Sequence, residues 1–188
     1  MRSDRADIAW PEGIRMRPPT PSDHGPVLAV MDVWWGGLGG LHGSRQRALL
    51  LPRLFFQHFA PCSYLIEDDD DRLIGFLIGF LSASQPAVAY IHVVGVDPEF
   101  RHAGLGAALY GQFFNDVARQ GARTVNCVTS PENDASVAFH RTLGFDLEPG
   151  DTVLNGLPVH LDYDGPGLDR VVFTRSLHWA RSSAMVES

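Results

Sequence analysis

The stretch Val88–Gln120, VAYIHVVGVDPEFRHAGLGAALYGQFFNDVARQ, constrains the fold of this chain more than any other. It opens with alternating β-branched and aromatic residues, the pattern of a strand. A strict two-residue period puts Val88, Tyr90, His92, Val94 and Val96 on one face, and Ala89, Ile91 and Val93 on the other. Asp97-Pro98 stops the strand, because proline has no amide for a ladder and restrains the residue before it. An arm follows, Arg101-His102-Ala103-Gly104-Leu105-Gly106. The spacing of Leu105, Leu109, Phe113 and Val117 then predicts a helix, with Gly121 placed to end it. Strand, turn, glycine-rich arm and helix N-terminus in that order form an anion site, since unpaired N–H groups and the positive dipole end point outward together.

Three readings of that anion compete. A P-loop needs Gly-Lys-Ser/Thr, but Gly106 is followed by Ala107-Ala108. A dinucleotide fingerprint needs a third small residue and an acid about 20 residues further on. Leu109 stands at the third position, and residues 122–131 hold no Asp or Glu. The third reading is Arg-x-x-Gly-x-Gly after a Val-x-Val-x-Pro strand end, with Arg101 and the backbone amides of residues 102–107 holding a pyrophosphate. This resembles the signature of the GNAT superfamily of N-acetyltransferases. A second motif strengthens the resemblance: the strand Thr124–Ser130, then Asn133-Asp134-Ala135-Ser136 opening a short helix through Phe139-His140, closed by Leu143-Gly144-Phe145. The likeness spans residues 14–178.

The rest of the chain is consistent with one domain over residues 1–188, large enough for a single core, with residues 1–13 and 179–188 expected to be flexible. The formal net charge of −7, from 15 Lys+Arg against 22 Asp+Glu, argues against a nucleic-acid partner. No apolar run reaches the ~20 residues of a membrane span. The N-terminal stretch lacks the apolar core of a secretory signal. Cys62 and Cys127 stand alone and read as reduced thiols in a cytoplasm. The eight His residues have no ligand spacing, so no metal site is expected.

In order, Ile14–Arg17 reads as a first strand, with Ser22 or Asp23 capping a helix that carries Val27, Val30, Met31 and Trp34. Gly36–Gly43 reads as a flexible connection. Leu49–Phe59 reads as a second helix, with Leu50, Leu54 and His58 on one stripe. Cys62–Ile66 and Leu73–Leu81 read as antiparallel strands joined by a solvated acidic turn, Glu67–Asp71. Turn-rich sequence follows Phe145, and Arg170–Leu177 is a last strand. The resemblance supplies the topology: an α/β (α+β mixed) fold, with a mixed, mostly antiparallel sheet of about seven strands flanked by about four helices.

The resemblance also implies an activity, transfer of an acetyl group from acetyl-CoA directly to a primary amine of a small molecule or peptide. A transferase using a longer acyl-CoA, or a non-catalytic acyl-CoA sensor, remains open beside it. Val94, Gly95 and Val96 would pair with the pantetheine arm, with Gly95 easing close approach. Arg101, His102, Ala103, Gly104, Leu105, Gly106 and Ala107 would hold the pyrophosphate, and Asn133, Ser136 and Phe139 would flank the coenzyme. Many members carry a tyrosine where this chain has His140, the candidate acid. His92 is the candidate base, and the alternative for each is a packed histidine. Trp34, Trp35, Tyr90, Asp162, Tyr163 and Asp164 would line the acceptor site, the paired acids favouring a cationic amine. Cys127 reads as a small core residue rather than a nucleophile. A homodimer is common in the family.

Overall fold

In a computed structural model, which describes residues 10, 12–35 and 40–177, the chain forms a three-layer α/β sandwich. The elements run β1 (Arg15–Arg17), α1 (His24–Trp34), α2 (Gly40–Leu50), α3 (Leu54–His58), β2 (Tyr64–Glu67), β3 (Leu73–Leu81), β4 (Val88–Val96) and α4 (Leu105–Arg119). They continue β5 (Thr124–Thr129), α5 (Asp134–Thr142), β6 (Asp146–Leu147), β7 (Thr152–Leu154), β8 (Leu157–Val159) and β9 (Val171–Ser176). Seven strands make one sheet in the order β1-β2-β3-β4-β5-β9-β6, while β7 and β8 form a separate hairpin. Among the described strands, only β4 and β5 run parallel. The expected mostly antiparallel sheet is therefore present. The expectations for residues 1–9, 11, 36–39 and 178–188 lie outside the described residues.

Two apolar clusters hold the layers together. On one side of the sheet, Val27, Met31 and Trp34 of α1 and Phe56 of α3 pack on Leu65, Phe76, Ile78 and Val93. On the other, Leu105, Leu109, Tyr110, Phe113 and Val117 of α4 and Val137 of α5 pack on Leu77, Ala89, Ile91, Val125, Cys127 and Phe173. Removing this much apolar area from water is the main favourable term in the fold.

The central strand departs from its simple two-residue period. Ile78 pairs with Val93 and Gly79 with Ile91, so His92 is an extra residue in β4, a β-bulge. The bulge reverses the facing of the residues after it. Ala89 and Ile91 face α4, Val93 faces α1, and Val94 and Val96 pack with the α4 cluster. The expectation that Val94 and Val96 share a face with Tyr90 and His92 is corrected by that one residue. Gly95 is also reassigned: a Cβ there would lie 2.4 Å from the Phe76 ring, so its missing side chain makes room for Phe76.

Three further expectations change. Leu49–Phe59 is two helices, because Pro52 has no amide to continue α2 and α3 restarts at Leu54. Helix α2 already runs from Gly40, inside the expected flexible connection. Glu67 is not in the acidic turn; it ends β2 and is buried, with Arg17 at 2.7 Å and Arg15 at 2.7 Å. Asp68–Asp71 does form the turn, with the Asp68 carboxylate accepting from the Asp70 and Arg72 amides.

Asp23 does not cap α1 with its side chain; Arg17 holds it at 2.7 Å instead. That guanidinium lowers the Asp23 carboxyl from 3.8 to about 2. A depressed folded pKa adds stability that is full above the unfolded value and lost as pH falls through the folded one. Acid titration should therefore remove on the order of 1–2 kcal/mol between about pH 4 and pH 2. Urea unfolding of wild type and Asp23→Asn across that window measures it, and the two proteins should converge at the acid end.

Candidate active site

The site is built where β4 parts from β5. Their parallel ladder pairs Val88, Ala89 and Tyr90 with Thr124, Val125 and Asn126 and then ends. Among the described residues, Ile91–Val96 thus has β3 on one edge and no strand on the other. Buried backbone N–H and C=O groups need partners, so an open edge of this kind is filled by water or by an extended ligand.

At the far end of β4 the chain turns through Pro98–Phe100 into the glycine-rich arm. His102 and Gly104 both take left-handed backbone, at φ 66° and 82°. Such backbone favours glycine, and at His102 it is strained. Ala108 is the first amide of α4 to reach a backbone carbonyl, that of Gly104 at 2.9 Å. The Leu105, Gly106 and Ala107 amides have no acceptor among the described residues, and no side chain caps this terminus. Gly106 keeps the approach narrow, since a Cβ there would sit 3.1 Å from Phe139. Ala103, on the arm's exposed crest, adds no bulk. The Arg101 side chain lies back over the strand end, donating to the Trp34 carbonyl at 3.1 Å and the Val96 carbonyl at 3.4 Å.

Helix α5 flanks the arm. Asn133 caps it, its Oδ1 accepting from the Ser136 amide at 3.1 Å. Phe139 lies against Gly106 and edge-on to Tyr110 at 5.4 Å. His140 turns inward and is buried, stacked on Phe173 at 4.7 Å. Its Nδ1 donates to the Ser136 carbonyl at 2.7 Å, since a carbonyl can only accept. Its Nε2 then accepts from the Tyr110 hydroxyl at 2.8 Å. Burial pushes this imidazole below its usual pKa.

His92 is placed differently. Its Nε2 donates to the Leu50 carbonyl at 2.6 Å, at the end of α2, and its ring stacks on Phe55 at 4.4 Å. That contact fixes the tautomer and leaves Nδ1 as the basic nitrogen. Desolvation lowers its pKa, while the Leu50 hydrogen bond and the Asp164 carboxylate pull the other way.

Beside His92 a cavity of about 280 Å³ opens at the vertex of the two strands, with Tyr90 and Asn126 in its lining. Phe80, Tyr163, Val88 and Val172 give it apolar walls, and Ser82 and Gln85 stand at its rim. Among the expected acceptor residues, Tyr90 and Tyr163 meet here. Asp164 is bound by Arg170 at 2.6 Å, Asp162 accepts from the Gly167 amide at 2.6 Å, and neither acid lines the cavity. Trp34 is elsewhere, buried and stacked on Phe76 at 5.8 Å, and Trp35 packs into the same cluster.

Residues 28–145 match the family model described as Acetyltransferase (GNAT) family. The chain belongs to the GNAT acetyltransferase family. Mycothiol acetyltransferase of Pseudarthrobacter chlorophenolicus is 32% identical over 148 residues, covering 76% of this chain and 46% of its own length. The chain spans about half or less of the length of the curated relatives it matches. A GNAT-family structure from Desulfovibrio desulfuricans superposes with a TM-score of 0.68 at 20% identity, over 88% of this chain and 99% of that one. PaiA N-acetyltransferase of Thermoplasma acidophilum, solved with coenzyme A, gives 0.65 at 15% identity, over 87% and 98%. At those identities the two structures speak for the GNAT fold.

Sequence reasoning missed Tyr110, Phe80 and Asn126. A wider stripe on α4, taking Tyr110 with Leu109, Phe113 and Val117, was available as a signal. So was a polar Asn126 in the middle of an otherwise apolar strand. Phe80 needed the strand order.

Removing the Tyr110 hydroxyl leaves His140 Nε2 buried without a donor, which costs about 1–3 kcal/mol. Tyr110→Phe should lower stability by that amount in chemical denaturation.

Proposed function

We propose that this GNAT protein is an acetyl-CoA-dependent N-acetyltransferase that moves an acetyl group directly onto a primary amine of a small molecule or peptide. The observation that carries the proposal is the pairing of two features on one strand: an open β4 edge beyond Tyr90, and an uncapped helix terminus after Val96. An extended pantetheine suits the first and a diphosphate suits the second. Acetyl-CoA, when bound, supplies an acetyl group activated as a thioester. The acetyltransferase relative and the coenzyme A bound to a protein of the same fold point the same way.

The residues fit that coenzyme. The amides of Leu105, Gly106 and Ala107, with Arg101 and the His102–Gly104 arm, hold its diphosphate. The backbone of Val94, Gly95 and Val96 offers the edge for its arm, and Asn133, Ser136 and Phe139 wall that side. His92 takes the proton from the attacking amine at Nδ1, directly or through water. Its lowered pKa keeps it neutral near pH 7, so it is a base without prior deprotonation. His140 has both ring nitrogens engaged, and its role here is to tie α5 to α4 through Tyr110 rather than to protonate the thiolate. The described residues act as one domain. Among the described residues no helix is long and apolar enough to cross a membrane, and both cysteines are free thiols, in keeping with work in the cytoplasm. The overall negative charge leaves nucleic acid an unsuitable partner.

Two experiments test the proposal. A thermal-shift titration with acetyl-CoA at ~100 times its Kd should add roughly 2.7 kcal/mol of stability. The shift should shrink in Arg101→Ala, and no shift in wild type defeats the assignment. With an accepted amine, His92→Gln should lower kcat/KM by about 10²–10⁴. The wild-type rate should rise with pH through a limb below pH 6.5, the ordinary value that burial lowers. An unchanged profile in His92→Gln removes His92 as the base.

A further inference from the structure

The cavity at the strand vertex narrows the acceptor, and this inference rests on the function proposed above. Among the described residues, no charged side chain lines the cavity. Phe80 and Tyr90 stand with ring centroids 5.6 Å apart, and Tyr163 closes the opposite wall. Behind Phe80 the aromatic surface continues through Phe55 and Phe59 to His92. At about 280 Å³ the space is just under the roughly 300–1,000 Å³ usual for small-molecule sites.

Charge decides between the candidate amines. A polyamine carries further ammonium groups beyond the reacting one, and the lining of this cavity offers them no carboxylate partner. Asp164 is already paired with Arg170 at 2.6 Å, and neither it nor Asp162 lines the cavity. A multi-ring aminosugar needs both more volume and more acids. A flat ring needs neither, since it can lie against the continuous aromatic surface that Phe80 and Tyr90 already form with one another. Asn126 adds one polar handle. Its Oδ1 accepts from Thr174 at 3.1 Å, leaving its amide N–H groups to donate to a substituent on the ring.

We infer that the acceptor is a small aryl or arylalkyl monoamine, its ring held among Phe80, Tyr90 and Tyr163 and its amino group directed along β4 toward His92. The ring fills the cavity, and the amine leads out of it. Tyr163, on a loop and half exposed, is the wall that admits the ring. The bond formed is N–C(O) and the bond broken is the thioester C–S, with its electron pair leaving on sulfur as the coenzyme A thiolate; the amine proton passes to His92 and from there to water, from which the thiolate is protonated.

The test is a panel of benzylamine, phenethylamine, spermidine, an aminoglycoside and an alanyl tripeptide, followed by thiol release with acetyl-CoA. The expected order puts phenethylamine or benzylamine at least ~10-fold above the others in kcat/KM. Tyr163→Ala should raise the KM for the aryl amine about 3–10-fold with little change in kcat. Val88→Phe should fill the cavity and abolish aryl-amine turnover, while the acetyl-CoA thermal shift persists and shows that the protein is folded. Spermidine, the aminoglycoside or the peptide as best substrate overturns the inference and leaves the acetyltransferase intact. So does an aryl amine whose KM ignores both variants. Loss of the acetyl-CoA shift in wild type defeats the function itself, and the acceptor assignment with it.

Discussion

The site depends on a ladder that stops. β4 is bonded to β3 along its length but to β5 only through Tyr90 and Asn126. Had the ladder continued, the edge of Ile91–Val96 would be satisfied internally and the sheet would present no slot. Because it stops, a stretch of backbone has a side that no described strand pairs, where the Val96 carbonyl is met by Arg101 at 3.4 Å. A buried amide or carbonyl left unpaired costs about 1–3 kcal/mol. The open edge therefore gives a matched extended chain a return that plain apolar surface cannot. The bulge at His92, the uncapped α4 terminus and the aromatic cavity are all disposed around that one divergence.

The two histidines show how environment, not residue type, sets chemistry. His140 and His92 are both partly desolvated, and both have pKa values below the ordinary one. At His140 one nitrogen is used by a helix carbonyl and the other by a tyrosine hydroxyl, so a proton has no free route. At His92 a single carbonyl takes Nε2 and leaves Nδ1 available. The difference comes from where each lies. One is on the inner face of α5, and the other is on a strand residue without a cross-strand partner, beside a cavity.

Much of this was legible in the chain. β3 and β4 fall on their expected boundaries because their apolar runs are bounded by turn residues. The α4 stripe and the Asn133 cap were equally plain. The illegible part was tertiary. A bulge has no residue signature, so alternation assigned Val94 and Val96 to the wrong face. Glu67 adjoins four aspartates and reads as part of their turn until β1 brings Arg15 and Arg17 alongside it. Asp162 and Asp164 look like acceptor ligands in sequence, and only the folded loop shows Asp164 paired with Arg170 and both acids outside the cavity lining. The stop at Pro52 was visible, yet the stripe through Leu50, Leu54 and His58 outweighed it.

β9 joins the sheet out of chain order. The strand Val171–Ser176 is inserted between β5 and β6, bonding Thr129 to Val171 and Asp146 to Thr174. It comes after every other strand of that sheet in the chain, yet sits in the sheet's interior and supplies the Val172 wall of the cavity. Closing so long a loop costs entropy before its contacts return any, so such pairing comes late in folding. During synthesis β5 and β6 are both made while the strand that joins them is still absent. Until β9 is in place, the cavity lacks its Val172 wall and α5 lacks the Phe173 ring on which His140 stacks.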